Sequence, residues 1–399
     1  MLLSFFGVID WEQTMLLRPS STSKSRAKNQ LIWDQLILSR CKVTKKNRHK
    51  GNKCKKNTLF CNFSCVIGKK CVILHPKLHA HEVKVIIDAH IPYLKGSLEP
   101  YASVVYLEPS EITASTVRDA DCVIVRTRTR ADACLLEGSH VKLVLTATIG
   151  YDHINTAYCL DHGIEWHNCP GCNAGGVCDY VESALQQLGL FAKKRTIGIV
   201  GVGHVGSLVE QMAARRGWDV VVCDPLRAKH EQATSCGNRF MAIEAVAAVA
   251  DVITFHTPLT FTGSYPTYHL CNADLLRACK PDALIINSAR GGIVDEVALL
   301  SSGHAAVIDC WENEPLISQE VLRHAAIATM HIAGYTRLGK YKASEMVLAH
   351  FNRFFHTDAR MVETMRFPEH QLFDIESVSR SLKAQPERFE QLREAYVLR

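Results

Sequence analysis

A chain of 399 residues, 47% hydrophobic and 22% charged, has the composition of a globular protein with room for two or three cores. Its net charge of +6 divides into a basic front, 16 Lys/Arg against four Asp/Glu over residues 1–82, and an acidic remainder with 30 against 36. The basic average is therefore no argument for nucleic-acid binding, and no apolar run of about 18 residues offers a membrane span.

Residues 1–82 lack the period-two or helical patterning that marks packed elements. They carry Arg18-Pro19-Ser20-Ser21-Thr22-Ser23-Lys24 and a basic run over residues 45–50. A poorly ordered or non-native basic extension ahead of the folded body is expected here, with a small accessory module and a nucleic-acid tail as alternatives. The chain has 16 cysteines. Cys41, Cys54, Cys61, Cys65 and Cys71 are not spaced as paired zinc hooks, and Cys169, Cys172 and Cys178 lack a fourth ligand, so no metal is expected. The remaining cysteines fall in apolar stretches, where buried free thiols are the expectation. No secretory signal pattern is present, so a cytoplasmic protein without a membrane or nucleic-acid partner is expected.

The body opens abruptly with an apolar run over 83–88, the first of four expected strands. The others fall at 102–107, 121–125 and 142–147, separated by polar connections and short helical patterns in a βαβ rhythm. This unit ends near the glycine-rich Pro170-Gly171-Cys172-Asn173-Ala174-Gly175-Gly176, and an amphipathic helix over 177–191 leads onward. A second series has strands near 195–200, 219–223, 252–255, 283–286, 305–308 and 327–329. Helices are expected from Gly206 and over 243–249, and a helical pattern resumes at 344–355. The fold class is α/β: two Rossmann-like domains, the first built from two separated segments.

The second series starts with Thr196-Ile197-Gly198-Ile199-Val200-Gly201-Val202-Gly203-His204-Val205-Gly206, a strand running into a G-x-G-x-x-G turn. Gly201 permits the tight turn, Gly203 lets backbone approach a pyrophosphate, and Gly206 lets the helix pack close. Unpaired N–H groups of the helix start, from His204 and Val205 onward, would hold the phosphates. Asp224 ends the next strand, where its carboxylate accepts from both ribose hydroxyls of NAD and repels the 2′-phosphate of NADP. NAD is therefore the expected cofactor.

Three polar residues follow later strands of this unit: Arg290, Glu314 and His331. Their chemistry suits a 2-hydroxy acid. Arg290 can clamp a carboxylate through two parallel hydrogen bonds, and His331 can take the hydroxyl proton as hydride leaves C2. Glu314 can bond the other ring nitrogen and favour the protonated imidazole. A surface arginine, a helix-capping glutamate and a structural histidine are the bland alternatives.

Around these residues the chain resembles the D-isomer-specific 2-hydroxyacid dehydrogenase family. The resemblance runs through residues 87–93, 146–153, 170–174, 198–206, 255–259, 309–315 and 331–336, which span almost all of 83–340. Pro170-Gly171-Cys172-Asn173 together with His331-Ile332-Ala333-Gly334-Tyr335-Thr336 resembles a branch acting on a phosphorylated acid, apart from glycerate or lactate enzymes. The resemblance implies a substrate domain from 83–176 and 332–356, an NAD-binding domain over 177–331, and an abbreviated dimerisation-type segment over 357–399, hence a homodimer. It gives Arg290, Glu314 and His331 the clamp, orienting and acid/base roles. It places Thr257, Ala289, Asp309 and Gly334 on NAD, and Thr127, Thr148 and Tyr335 on substrate. Thr127 stands where the family often has serine, which keeps the hydroxyl and adds a methyl. The interval from Arg290 to Glu314 is shorter than in the family, the difference falling around 299–304. A shortened loop preserves both anchors, whereas a shortened helix displaces Glu314. Another enzyme of the family acting on a phosphoglycerate-like acid, and a non-catalytic NAD-sensing regulator, stay open beside the leading reading.

Arg126, Arg128 and Arg130 alternate just after the 121–125 strand. In an extended segment they would share one face, and one or two of them, Arg126 first, would meet the substrate phosphate.

Overall fold

The computed structural model describes residues 64–67, 70–73, 82–233, 239–368 and 370–398. The chain groups into two units, Met1–Leu78 and His79–Arg399. In the first, strand β1 (Ser64–Ile67) pairs antiparallel with β2 (Lys70–Ile73), Ser64 opposite Ile73. Little regular organisation is expected before residue 83, and this short pair lies within that stretch. Each strand is only four residues, too short for its β-branched pairs, Val66-Ile67 and Val72-Ile73, to register as a periodic pattern. The basic runs at 18–24 and 45–50 lie outside the described residues.

The second unit holds two parallel sheets. In the first, β3 (Lys84–Asp88), β4 (Ser103–Leu107), β5 (Cys122–Val125), β6 (Leu143–Thr146) and β7 (Glu165–His167) lie in the order β4-β3-β5-β6-β7. Alternation assigns the two faces. Val85, Ile87, Cys122, Ile124, Leu143 and Leu145 enter one core, while Ile86, Val123, Val125 and Val144 enter the other. β7 escaped the sequence reading because Glu-Trp-His at a partly exposed sheet edge has neither an apolar run nor alternation.

The other sheet contains β8 (Thr196–Val200), β9 (Asp219–Cys223), β10 (Val252–Phe255), β11 (Leu284–Asn287), β12 (Ala306–Ile308) and β13 (Ile327–Ala328). Its order, β13-β12-β11-β10-β8-β9, places a switch point at β8, whose successors lie on opposite sides. Ile253, Phe255, Ile285 and Ile308 fill one face, and Ile197, Ile199, Val252, Ile286 and Val307 fill the other. Each such buried side chain contributes about 1.5–3 kcal/mol.

Two helices carry the chain between the sheets. Ala174–Gln187 leads into β8, and Arg337–Phe355 returns after β13. The returning helix buries Ala343, Val347, Leu348 and Phe351 against the β3–β5–β6 face, so the substrate domain is discontinuous. Both helices start earlier than the sequence pattern suggested. Gly175 and Gly176 read as loop residues, yet they sit in the first helical turn, and a Cβ on Gly176 would lie 2.6 Å from the Thr336 methyl. Thr336 in turn caps the returning helix, accepting from Gly339 N at 3.0 Å.

The C-terminal residues form helices Ile375–Ala384 and Phe389–Glu394. Leu382 and Phe389 enter the core of the second sheet, and Ser379 Oγ accepts from Ala328 N at 3.0 Å on edge strand β13. No described helix is long and apolar enough to cross a membrane. Most described cysteines are buried free thiols, and Cys134 is exposed.

Candidate active site

Six parallel strands end on one edge, and each is followed by a residue the sequence singled out. Gly201 follows β8, Asp224 follows β9, Thr257 lies beyond β10, Arg290 beyond β11, Glu314 beyond β12 and His331 beyond β13. Ligands of open α/β sheets bind at this carboxyl edge beside the switch point.

The glycine turn has the geometry a dinucleotide needs. Gly201 has φ +88°, and a Cβ there would lie 2.8 Å from both His256 O and the Thr257 methyl. A Cβ on Gly206 would run into the Gly201 carbonyl, whereas one on Gly203 meets nothing within 4 Å. The backbone is therefore packed behind the turn and open in front of it. Helix His204–Arg215 starts at Gly203 without a side-chain cap, which leaves its first N–H groups for an anion. Thr257 Oγ1 is buried with no hydrogen-bond partner among the described residues, a donor awaiting an acceptor. Asp224 is half-buried and accepts from Val202 N and Arg227 N, both at 2.9 Å, so it sits directly beneath the turn. These features fit the pyrophosphate and ribose of NAD. Val205 is partly buried against the core, while His204 is exposed with its ring over Gly171.

His331 has φ +56° and donates its backbone N–H to Asp309 O at 2.9 Å. Its Nδ1 lies 2.8 Å from Glu314 Oε2, and Glu314 Oε1 accepts from Trp311 N at 2.9 Å. The short Arg290–Glu314 interval therefore does not displace Glu314. Helix Glu296–Ser302 ends at Gly303 with φ +72°, and β12 follows after two more residues. Asp309 is fully buried and holds the histidine loop: its carboxylate accepts from Thr329 Oγ1, Ile332 N and Ala333 N at 2.6, 2.8 and 2.9 Å. Burial by itself opposes the charged His331 ring, but Cys310 and Glu314 beside it hold its pKa well above the ordinary histidine value. Burial also pushes the Cys310 thiol up to about 11, so it is neutral near pH 7 and Glu314 supplies the charge that keeps the proton. Burial works to raise Glu314, yet the bond from His331 leaves its pKa below the usual value.

Arg290 donates Nη1 to Ala289 O at 2.8 Å, and its Nε lies 3.8 Å from Asp152. A Cβ on Gly150 would collide with Nη2. Gly150→Ala is therefore expected to push the guanidinium aside and raise KM for the acid by about tenfold or more, with NAD affinity preserved. Steady-state kinetics beside NAD titration check this, and an unchanged KM would mean that Arg290 has room to move.

A family model described as D-isomer specific 2-hydroxyacid dehydrogenase, NAD binding domain, matches residues 179–333. Erythronate-4-phosphate dehydrogenase of Bacteroides fragilis is 42% identical over 340 residues, covering 79% of this chain and 97% of that protein. The enzyme of the same name from Porphyromonas gingivalis is 38% identical over 344 residues, covering 79% and 92%. The chain belongs to the D-isomer specific 2-hydroxyacid dehydrogenase family. As a member it is an oxidoreductase acting on CH–OH groups with NAD. Among solved structures, NAD+-bound 3-phosphoglycerate dehydrogenase of Entamoeba histolytica shares the fold, with TM-score 0.58 at 24% identity, covering 71% of this chain and all of that one (100%).

Of the residues that the family resemblance places on substrate, Thr127 and Thr148 follow strands β5 and β6 of the other sheet. Thr148 Oγ1 donates to Gly150 O at 2.8 Å, the same glycine that faces Arg290, and Thr127 is exposed in the turn after β5. Tyr335 and Gly334 follow His331. The shared arginine face is corrected. The chain turns after β5, with Thr129 N donating to Arg126 O at 3.1 Å, and the three side chains part. Arg126 pairs with buried Asp88 at 2.9 Å, Arg128 with Glu390 and Glu394 at 2.8 and 2.6 Å, and Arg130 with Asp132 at 3.3 Å. Sequence reasoning missed Cys310 and Arg393. Cys310 carried no signal beyond its place in the Asp309–Pro315 motif. Arg393 lies 79 residues beyond Glu314 in the chain, yet its Nη1 is 3.8 Å from Glu314 Oε2. Among the described residues, Cys310, Glu314 and His331 are the grouping with metal-ligand atoms within 4.8 Å of one another.

Proposed function

We propose that the protein oxidises the C2 hydroxyl of 4-phospho-D-erythronate to (R)-3-hydroxy-2-oxo-4-phosphobutanoate, a step toward pyridoxal 5′-phosphate, and works as a homodimer. The observation that carries the catalytic part is the His331–Glu314 pair on the same sheet edge as the open glycine turn. The identity of the acid is supported by the two relatives, which this chain matches over nearly their whole length.

Gly201, Gly203, Gly206 and the N–H groups of His204 and Val205 would hold NAD, with Asp224 on the ribose and Thr257, Ala289 and Gly334 along the dinucleotide. Asp309 would serve this wall through the loop it braces. Bound NAD supplies the hydride acceptor. Arg290 clamps the substrate carboxylate and polarises C2. Because Nδ1 of His331 faces Glu314, Nε2 is left to take the C2 hydroxyl proton. Glu314 fixes the ring and stabilises the imidazolium as it forms. Thr127, Thr148 and Tyr335 line the acid, and Arg126 stands toward its phosphate end.

NADH formation across a panel of acids tests the reading. The kcat/KM for 4-phosphoerythronate is expected to exceed those for 3-phosphoglycerate and unphosphorylated erythronate by about a hundredfold. A preference for 3-phosphoglycerate would assign the site to a different acid. No turnover of any acid, with NAD binding intact, would favour a sensor.

A further inference from the structure

Beside the histidine loop, cations gather that proton and hydride transfer do not use. Lys340, in the first turn of helix Arg337–Phe355, places Nζ 4.6 Å from the centre of the Tyr335 ring. Among the described residues no carboxylate lies within ion-pair distance of it, and Asp88, the carboxylate acting on it from further off, is already bound to Arg126. Burial first, then the like charges of Arg126 and Arg393, pull the ammonium down to about 8. Contacts tie the three segments that carry these cations: Arg128, two residues past Arg126, and Arg393 both bind Glu390, and Arg393 reaches the Glu314 partner of His331, four residues before the Tyr335 ring that holds Lys340.

The last helix is tied there on purpose-built contacts. Arg128 binds Glu390 and Glu394, fastening Phe389–Glu394 to the turn that carries Arg126. Arg393 lies between Glu390, 2.9 Å from Nη2, and Glu314, 3.8 Å from Nη1, so it borders the catalytic pair. Arg126 and Arg393 are each partly neutralised, whereas Lys340 is not. A partly buried ammonium crowded by guanidinium groups gains most from an arriving anion, and a dianion meets three cations better than a carboxylate does.

We propose that Lys340, Arg126 and Arg393 form a subsite for the phosphate group of the substrate, with the C-terminal helix as one of its walls. The natural occupant rests on the phosphorylated-acid reading above, but the subsite itself answers to inorganic phosphate. The Tyr335 ring holds the ammonium over its face, and Arg290 is left for the carboxylate at the other end.

The test uses the full chain loaded with NAD, comparing wild type with Lys340→Met, Lys340→Arg and Arg393→Met. Inorganic phosphate is expected to inhibit the wild type competitively against the acid substrate. Its inhibition constant should weaken by about tenfold or more in Lys340→Met and Arg393→Met, and stay near wild type in Lys340→Arg. The ratio of kcat/KM for 4-phosphoerythronate over erythronate should fall in parallel, with NAD affinity unchanged as the mark of an intact fold. No phosphate inhibition of the wild type, or inhibition of both methionine variants as strong as that of the wild type, overturns the subsite. A wild type that oxidises only unphosphorylated acids removes the proposed substrate, while the phosphate series still judges the subsite by itself.

Discussion

His331→Asn is expected to bind NAD normally and to oxidise its acid about 10²- to 10⁴-fold more slowly, the range for losing a positioned general base. The loss should fall on kcat, because the ring acts on a proton that moves only in the transition state. The pH dependence carries the sharper information. Oxidation needs the neutral ring, and its pKa is held well above the ordinary value, with Glu314 supplying the charge beside the neutral Cys310 thiol. The rate of oxidation should therefore climb as pH rises through that elevated pKa, and the reverse reduction should fall over the same span. Glu314→Gln removes the negative charge 2.8 Å from Nδ1, so the ring gives up its proton more easily and the limb moves to lower pH. Its kcat falls as well, because the amide holds a different tautomer. An unmoved limb in Glu314→Gln would sink the assignment of Glu314 as the partner that charges His331.

Two glycine substitutions only three residues apart should fail in different ways. At Gly203 a Cβ meets nothing within 4 Å, so Gly203→Val should fold and melt like the wild type without cofactor. Its side chain instead occupies the space in front of the helix start. NAD affinity should drop by about a hundredfold, equivalent to about 2.7 kcal/mol. At Gly206 a Cβ strikes the Gly201 carbonyl and approaches the Ile199 side chain to 3.3 Å. Gly206→Ala has to push the helix off the turn, and is expected to cost about 1–3 kcal/mol of stability as well as the cofactor. Thermal melts with and without NAD, beside direct titration, separate the two. Wild-type NAD affinity in Gly203→Val would mean that the open face of the turn is not the phosphate site.

The two-sheet plan was readable because buried parallel strands write continuous apolar runs, and Val252–Phe255 shows this at its plainest. The Gly201–Gly206 turn and Asp224 were readable because each geometric demand falls on one residue type. The Glu314–His331 contact was readable as chemistry, though only folding brings residues from successive loops to 2.8 Å. Short or polar elements were not readable. β7 has one aromatic residue between two polar ones, and the helical Gly175-Gly176 pair depends on a neighbour, Thr336, 160 residues downstream of Gly176. The arginine triplet misled because alternation implies a shared face only while the chain stays extended, and a turn begins at Arg126. Arg393 and Lys340 had no local mark, since their meaning lies in which distant charges fold beside them.

The two helical crossings lie side by side, with Thr336 packed on Gly176 and Asn173 packed on Gly334. One linker would let the lobes swivel freely. Two adjacent ones behave as the two leaves of a door hinge: bending along their common line is soft, while sliding or twisting strains one crossing against the other. That line passes the loop that begins at His331, because Gly334 and Thr336 belong to it, so the histidine–glutamate pair lies where the two lobes are tied together.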